Sequence, residues 1–521
     1  MRQIRKLSFI LTVIFAGVNA SAQSSSPPPA GAAKQAVGKL EGLDEFVNSR
    51  MKEWNVPGLA IAIVKDGQVI YSRGYGLRNV KGNLPVTPQT LFAIGSITKS
   101  FTSLAFNMLA DDGKVDLDKP VRSYLPEFKL FDQVATERAV PRDLLSHRTG
   151  IPRHDLIWYS SNFSRADLVD RLAYAEPNKD FRSTWQYNNL TIATIGYLEG
   201  KVSGLGWEGL VKQRIFDPLG MTHSNFSDTD SMKTSDFSKP YEKRKDTVVE
   251  VPFHLIEPIG PAGSINSSVE DMARYLTFQL GKGKVGEKQI VSEARLLDMH
   301  SPQMVMGGPQ KYSELGAASY GLCWVVTAYR GHNLVWHNGG IDGFYALLSL
   351  LPNDNMGIVV LTNLSGSPLP ELIEYDVYDH LLGMDPVDWT KRMRESRDEQ
   401  KKEEAEKAKK GDANRKKGTH PSHDLQDYAG IYENRAYGTL KVEPKGDGFT
   451  LTLNSLSIPV EHYHYDMFFV PEDSDSRFAG TKFSFHVSTT GDIDSISAPL
   501  ERTLDHDIVF NRPPAQPKSK E

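Results

Sequence analysis

Cysteine is almost absent from this sequence of 521 residues, in which Cys323 is the only one. A lone cysteine cannot form a disulfide within its own chain, so stability must come from a packed core. Cys323 has apolar neighbours in the stretch YGLCW, and no histidine-rich motif adjoins it. We therefore predict a buried structural thiol rather than a catalytic one.

A charge excess of either sign is also missing. Lysine and arginine total 60, aspartate and glutamate total 65, and the net charge is −5. This balance gives no field that would select nucleic acid or an anionic membrane surface. We expect a small-molecule or short-peptide substrate, with oligomerisation left open. Hydrophobic residues make up 39% of the chain, which is enough for a full core and for two or more domains.

The apolar run near the N-terminus is too short to be a typical membrane span. It extends over Leu7–Val18, whereas a spanning helix needs ~20 apolar residues. The basic stretch MRQIRK precedes it and ASA, ending at Ala22, follows it, which is the build of a cleavable signal peptide. We predict cleavage near Ala22 and export to the periplasm or the medium, with no stable membrane span afterwards. An uncleaved anchor is the alternative.

Composition shifts divide the rest of the chain. A Pro-rich, polar leader over 23–37 precedes a predicted main domain over 38–385. A charged linker over 386–420 has almost no apolar stripe, which predicts a solvated connector helix or, alternatively, a recognition segment for an acidic partner. Short β runs fill a second domain over 421–513 and predict a small barrel or sandwich before the tail at 514–521. His462 and His464 share a strand face there, but no third metal ligand is evident.

The sequence of the main domain predicts strands first, then helices, and then strands again. A predicted hairpin turns at 65–67, helical periods dominate from about 104 to 299, and strands return over 320–363. A final predicted helix covers Pro368–Leu382. This order indicates one sheet interrupted by a helical insertion.

Ser96 and Lys99 lie where a short apolar run turns into a predicted helix, in the tetrad SITK. Lys99 follows Ser96 by one turn on the same side, so it could accept or orient the serine proton. The positive end of the helix dipole would favour developing negative charge at Ser96. The pair alone is weak evidence, because SxxK occurs by chance in a chain of this length.

Two further motifs could converge on this serine. Tyr187 and Asn189, in YNN, precede a predicted apolar helix. A nearby Lys99 would lower the pKa of Tyr187 and make it a general base. His337, Gly339 and Gly340, in HNGG, end a predicted strand, where glycines permit close backbone approach and the Gly340 and Ser96 amides could form an oxyanion hole. Taken singly, the YNN motif is equally consistent with a tyrosine in the core, and the HNGG motif with a tight turn that carries a surface histidine.

Together, S96-I-T-K99, Y187-N-N189 and H337-N-G339 resemble the β-lactamase-related serine hydrolases, which include class C β-lactamases, D,D-peptidases, D-aminopeptidases and related esterases. The stretches 141–151 and 260–276 also resemble scaffold segments of these proteins, and the resemblance covers residues 38–385 approximately. It implies an α/β (α+β) fold, with an antiparallel sheet flanked by helices, and no metal or organic cofactor. The opening LQDYAGIYE of the second domain is similar to the lipocalin-like barrel appended to some relatives, where it flanks or restricts the cleft.

The resemblance also implies roles for the motif residues. Ser96 would form an acyl-enzyme, Lys99 and Tyr187 would move the proton, and Asn189 would position Lys99 and the substrate. His337 replaces the lysine of many β-lactamases and is largely neutral near pH 7, which favours a peptidase, amidase or esterase over an antibiotic-hydrolysing enzyme. The alternatives are a β-lactamase, a non-catalytic sensor of penicillin or cell-wall fragments, and a purely structural exported protein.

Overall fold

The computed structural model describes residues 35–244, 247–253, 256–308, 310–413, 415–471, 474 and 478–514. The predicted signal peptide with its cleavage site, most of the leader and nearly all of the tail lie outside these ranges. Within them, no helix combines the length and the apolar character needed to cross a membrane.

One nine-stranded antiparallel sheet forms the centre of the main domain. Its strands in chain order are β1 (Gly58–Lys65), β2 (Gln68–Asn79), β3 (Leu84–Pro85), β10 (Met304–Val305), β11 (Ser319–Tyr320), β12 (Val325–Tyr329), β13 (His332–Ile341), β14 (Phe344–Leu351) and β15 (Met356–Thr362). The spatial order is β10-β11-β12-β13-β14-β15-β1-β2-β3. Because β15 pairs with β1, the strands that follow the helical insertion lie in the same sheet as the early hairpin of β1 and β2. The predicted single sheet with a helical insertion is confirmed.

The alternation of side chains in β1 explains how the sheet is covered on both faces. Leu59, Ile61 and Ile63 pack in a cluster with the helices α1 (Leu43–Trp54) and α13 (Leu369–Leu382). The intervening Ala60, Ala62 and Val64 face the helical insertion. All six side chains are fully buried, as expected for a central strand between two helical layers.

The insertion is built around the helix α2 (Thr98–Asp111). Every residue from Thr98 to Ala110 is buried, so this helix is covered on all sides and is the central element of its layer. The other helices of the insertion are α3 (Gln133–Arg138), α4 (Pro141–Leu145), α5 (Arg165–Arg171), α6 (Asn189–Ser203), α7 (Gly206–Val211), α8 (Asp217–Leu219), α9 (Asp228–Met232), α10 (Gly260–Gly263), α11 (Val269–Leu280) and α12 (Glu293–Met299). Three two-stranded ribbons accompany them: β4 (Phe92–Ala93) with β7 (Asn266–Ser267), β5 (Tyr241–Arg244) with β6 (Thr247–Glu250), and β8 (Lys284–Val285) with β9 (Lys288–Gln289).

Cys323 lies in this core, fully buried. Its thiol points at the Leu145 carbonyl oxygen, with 3.6 Å between the two atoms. Burial raises the pKa of the thiol, which keeps it protonated. The prediction of a buried structural thiol is confirmed.

The charged segment forms the long helix α14 (Trp389–Ala413). It is not solvated throughout, because Trp389 is buried and packs against Tyr375, with the ring centroids 4.5 Å apart and the ring planes inclined by 37°. Arg392 also pairs with Glu314 at 2.9 Å. The first turns of the connector are therefore docked on the main domain.

The C-terminal segment closes into an eight-stranded antiparallel barrel, preceded by the short helix α15 (Leu425–Tyr428). Its strands are β16 (Gly430–Asn434), β17 (Gly438–Lys445), β18 (Gly448–Leu453), β19 (Leu456–His464), β20 (Met467–Phe469), β21 (Lys482–Val487), β22 (Ile493–Ala498) and β23 (Ile508–Asn511). Alternate residues such as Leu440 and Val442 in β17 are buried inside. The structure thus selects the barrel over the sandwich and is consistent with the lipocalin-like expectation.

Candidate active site

Ser96 and Lys99 face each other at the start of the buried helix α2. Ser96 lies in the 3₁₀ turn Gly95–Ile97, which runs directly into the helix. The Lys99 Nζ atom lies 2.9 Å from Ser96 Oγ and donates a hydrogen bond to the Ala262 carbonyl oxygen at 2.7 Å. The predicted placement of the two side chains on one side of the helix is therefore observed.

Tyr187 reaches the same oxygen from the start of α6. Asn188 caps this helix through its side chain, which accepts a hydrogen bond from the Thr191 amide. The cap marks the point where the loop ends and the helix begins. Tyr187 is the residue just before it, and its hydroxyl donates a hydrogen bond to Ser96 Oγ at 2.6 Å. The Lys99 Nζ atom lies 4.7 Å from the centre of the Tyr187 ring.

His337, Gly339 and Gly340 lie within strand β13 rather than in a turn. The His337 side chain is buried, and its Nδ1 is 2.5 Å from the Asn338 carbonyl oxygen. A carbonyl only accepts, so Nδ1 carries the proton and Nε2 accepts from the Tyr320 hydroxyl at 2.9 Å. Burial lowers the pKa of His337 to about 3, which makes it a neutral group facing the site.

Gly339 brings the backbone of β13 against the turn that carries Ser96. A Cβ atom at Gly339 would lie 1.9 Å from the Ile94 carbonyl oxygen and 2.8 Å from the Ser96 amide nitrogen. Gly340 lines the cavity beside Ser96. The predicted oxyanion hole, formed by the Gly340 and Ser96 amides, requires such a close approach of the strand to the turn.

We expect Gly339→Ala to destabilise the protein by about 3 kcal/mol, because the new methyl group would overlap backbone atoms of Ile94 and Ser96. The matched control is Gly340→Ala, whose Cβ would meet nothing closer than Tyr345 at 3.7 Å. Thermal unfolding of both variants checks this. An unchanged melting temperature for Gly339→Ala would contradict the close packing of β13 on the turn.

The buried position of Lys99 determines the protonation of the site. Desolvation, with a smaller contribution from the charge of the neighbouring Arg153, lowers the pKa of Lys99 to about 7. A large fraction of Lys99 is therefore a neutral amine at physiological pH, with a lone pair available for the Ser96 proton.

The predicted lowering of the Tyr187 pKa is wrong. Burial raises this pKa above its ordinary value and outweighs the opposing effects of the Ser96 hydrogen bond and of Arg153. The expectation assumed a charged Lys99, whereas the same burial removes that charge. Tyr187 is thus a hydrogen-bond donor in the resting site, and the basic group is Lys99.

Asn189 lines the cavity, but its amide does not bond Lys99 in the described structure. It donates instead to Asp155 Oδ1 at 2.9 Å. Asp155 pairs through its other oxygen with Arg153 at 2.6 Å, and the Arg153 guanidinium lies 5.0 Å from the centre of the Tyr187 ring. Neither Arg153 nor Asp155 was predicted from the sequence, although the run RHD directly after Pro152, with three consecutive titratable residues, was a signal.

Two cavities are lined in part by Ser96. One, of about 300 Å³, contains the acidic residues Asp155, Glu242 and Asp342. The other, of about 630 Å³, is lined by four aromatic side chains, and these are Trp185, Tyr187, Tyr320 and Trp336. Ser96 therefore adjoins one cavity with acidic residues and another with aromatic walls.

Comparison with known proteins gives matches along most of the chain. A model of the β-lactamase family matches residues 43–381, and a model described as a domain of unknown function (DUF3471) matches residues 414–512. The unguisins hydrolase ungD' of Aspergillus campestris is 30% identical over 364 residues, which cover 67% of this chain and 67% of that protein. Protein flp of Staphylococcus aureus is 28% identical over 343 residues, which cover 64% of this chain and 65% of that protein, slightly less than two thirds of its length.

Solved structures show the same architecture. The octameric penicillin-binding protein homologue from Pyrococcus abyssi is 26% identical, with a TM-score of 0.58 over 91% of this chain and 99% of that one. A class C β-lactamase from Rhodobacter sphaeroides is 21% identical, with a TM-score of 0.53 over 67% of this chain and 99% of that one, and it supports the fold alone.

Proposed function

The chain belongs to the β-lactamase family of serine hydrolases, and on this premise we propose that it hydrolyses amide or ester bonds through an acyl-enzyme on Ser96. The observation that carries the proposal is the position of Ser96 Oγ, 2.9 Å from a buried amine and 2.6 Å from a tyrosine hydroxyl. These are the elements of an activated nucleophile: a hydroxyl, a base within hydrogen-bond distance, and a second group that orients it.

The proposed reaction begins with the neutral form of Lys99. Its lone pair takes the Ser96 proton while Oγ attacks the substrate carbonyl carbon, and the carbonyl electrons move to oxygen. The Ser96 and Gly340 amides would bind this oxyanion. When the tetrahedral intermediate collapses, the hydroxyl of Tyr187 would protonate the leaving group and regain a proton from Lys99. Water then attacks the acyl-enzyme, with the same groups acting in reverse.

The neutral His337 supports the choice of a peptidase, amidase or esterase. A lysine at this position would offer a positive charge to a substrate carboxylate, whereas the His337 ring is buried and uncharged near pH 7. A β-lactamase is the second candidate, favoured by the match of residues 43–381 to the β-lactamase family model. We further propose that the protein is exported, on the strength of the N-terminal MRQIRK and apolar pattern.

A panel of three substrates tests the function: a chromogenic lactam, a D-alanyl dipeptide and a short-chain ester. We expect continuous turnover of the peptide or the ester at a higher kcat/KM than that of the lactam. Intact-mass spectrometry during the reaction should show a transient adduct on the protein. A stoichiometric adduct with no turnover of any of the three would instead identify a ligand sensor.

A further inference from the structure

Several side chains of the segment Arg153–Ser160 contact active-site residues or line the cavity beside Ser96. Arg153 covers the Tyr187 ring, and Asp155 accepts from Asn189, as described above. Trp158 and Tyr159 line the smaller cavity, and the Trp158 indole also donates to Asp155 at 2.8 Å. The conformation of this segment therefore determines the surroundings of Tyr187 and Ser96.

The same segment is bonded to the barrel through His154. The imidazole is buried, with Nε2 2.8 Å from the Glu176 carbonyl oxygen and Nδ1 2.7 Å from the Tyr437 hydroxyl. Since a carbonyl only accepts, Nε2 carries the proton and Nδ1 accepts from Tyr437. Burial lowers the pKa of His154, consistent with this neutral tautomer. The backbone amide of His154 donates to the Glu501 carboxylate at 2.8 Å.

The far end of the segment is held in the same way. The Ser160 carbonyl oxygen accepts from the Ser455 hydroxyl at 2.7 Å and from the Ser455 amide at 3.2 Å. His154 and Ser160 both have left-handed backbones, with φ of 45° and 53°. Non-glycine residues adopt this conformation at a cost and keep it only where surrounding contacts fix it. Here barrel residues make the fixing contacts at both ends.

We infer that the barrel is a positioning device for the Arg153–Ser160 segment, and that His154 and Tyr437 are positioning residues for the chemistry at Ser96. This inference rests on the proposed function. The described linings of both cavities come from residues 95–366, so the barrel acts through the segment rather than by covering the cleft. A barrel that fixes a surface segment preorganises it before substrate arrives.

The test uses full-length variants that each lose one barrel hydroxyl. Tyr437→Phe removes the donor to His154, and we expect kcat/KM to fall about 10-fold through misplacement of the active-site groups. The matched control is Tyr432→Phe, whose hydroxyl donates to the Tyr428 carbonyl oxygen at 2.8 Å inside the barrel. This control should keep kcat/KM at the wild-type value even if its melting temperature drops.

A double-mutant cycle distinguishes positioning from general destabilisation. In an Asp155→Ala background, the segment no longer accepts the hydrogen bond of Asn189, and Arg153 loses its carboxylate partner. Tyr437→Phe should therefore cost much less activity there than it does alone. Fully additive effects, or an unchanged kcat/KM for Tyr437→Phe, would overturn the inference.

Hydrogen exchange tests the inference without relying on catalysis. Amides of peptides spanning 150–165 should exchange faster in Tyr437→Phe than in the wild type, and not in Tyr432→Phe. Equal exchange in all three proteins contradicts the positioning role. A wild type that a fluorophosphonate fails to label at Ser96 contradicts the proposed function instead, so the two failures are distinguishable.

Discussion

Ser96→Ala should abolish covalent labelling by a fluorophosphonate and reduce kcat/KM by about 10⁴-fold or more, because no other group can form the acyl-enzyme in its place. The lost oxygen is the atom on which Lys99 and Tyr187 converge, so after the substitution Lys99 has no serine proton to accept and the Tyr187 hydroxyl loses its acceptor. Gel fluorescence of the probe adduct and steady-state kinetics with the best substrate of the panel measure the two effects.

The matched control is Ser103→Ala on the same helix. Ser103 is fully buried, and its hydroxyl has no hydrogen-bond partner among the described residues. Its replacement should leave labelling and kcat/KM within about twofold of the wild type, since uncoupled substitutions away from such features have small effects. Persistent labelling of Ser96→Ala at the wild-type level would show that the nucleophile lies elsewhere.

Lys99→Met should lower kcat by about 10³-fold, the typical contribution of a positioned general base. In the wild type, log kcat/KM should fall with unit slope as the pH drops below about 7, because protonation of Lys99 removes the lone pair. The variant should lose this acid limb from its residual activity. The control, Lys114→Met, replaces an exposed lysine just beyond the other end of α2 and should change neither quantity. A wild-type rate that stays level from pH 8 to pH 5 would rule out Lys99 as the base.

The same substitution should stabilise the fold. Folding lowers the pKa of Lys99 from 10.5 to about 7, so between these values the unfolded chain binds a proton that the folded chain does not. Wild-type stability therefore rises with pH across this window, and the lysine is destabilising below it. Thermal unfolding should give a higher melting temperature for Lys99→Met, with the full difference at and below about pH 7 and a shrinking one as the pH rises toward 10.5. A lower melting temperature throughout would show that the amine is well compensated.

Much of the architecture was predictable because it is encoded locally. The hairpin of β1 and β2 has a turn motif between apolar runs, and the cap at Asn188 fixes the start of α6 from three neighbouring residues. Ser96 and Lys99 share one helical turn, so their proximity follows from helix geometry. Features of this kind require no knowledge of the distant parts of the chain.

The electrostatics of the site were not predictable in the same way. The pKa of Lys99, Tyr187 and His337 depends on how completely the tertiary structure excludes water from them, and periodicity does not report that. The role of His154 was missed for a related reason. Its partner Tyr437 is 283 residues away in the sequence, and only the closed barrel places it there.

The complete burial of α2 also bears on how this protein could change over evolutionary time. The helix that carries Ser96 and Lys99 has no exposed face from Thr98 to Ala110, so nearly every substitution in it disturbs packing. The cavity beside Ser96 is also lined by partly exposed side chains outside this helix, such as Glu242, Ile341 and Ser365. New selectivity can therefore arise by substitutions at such positions while the reacting pair stays fixed.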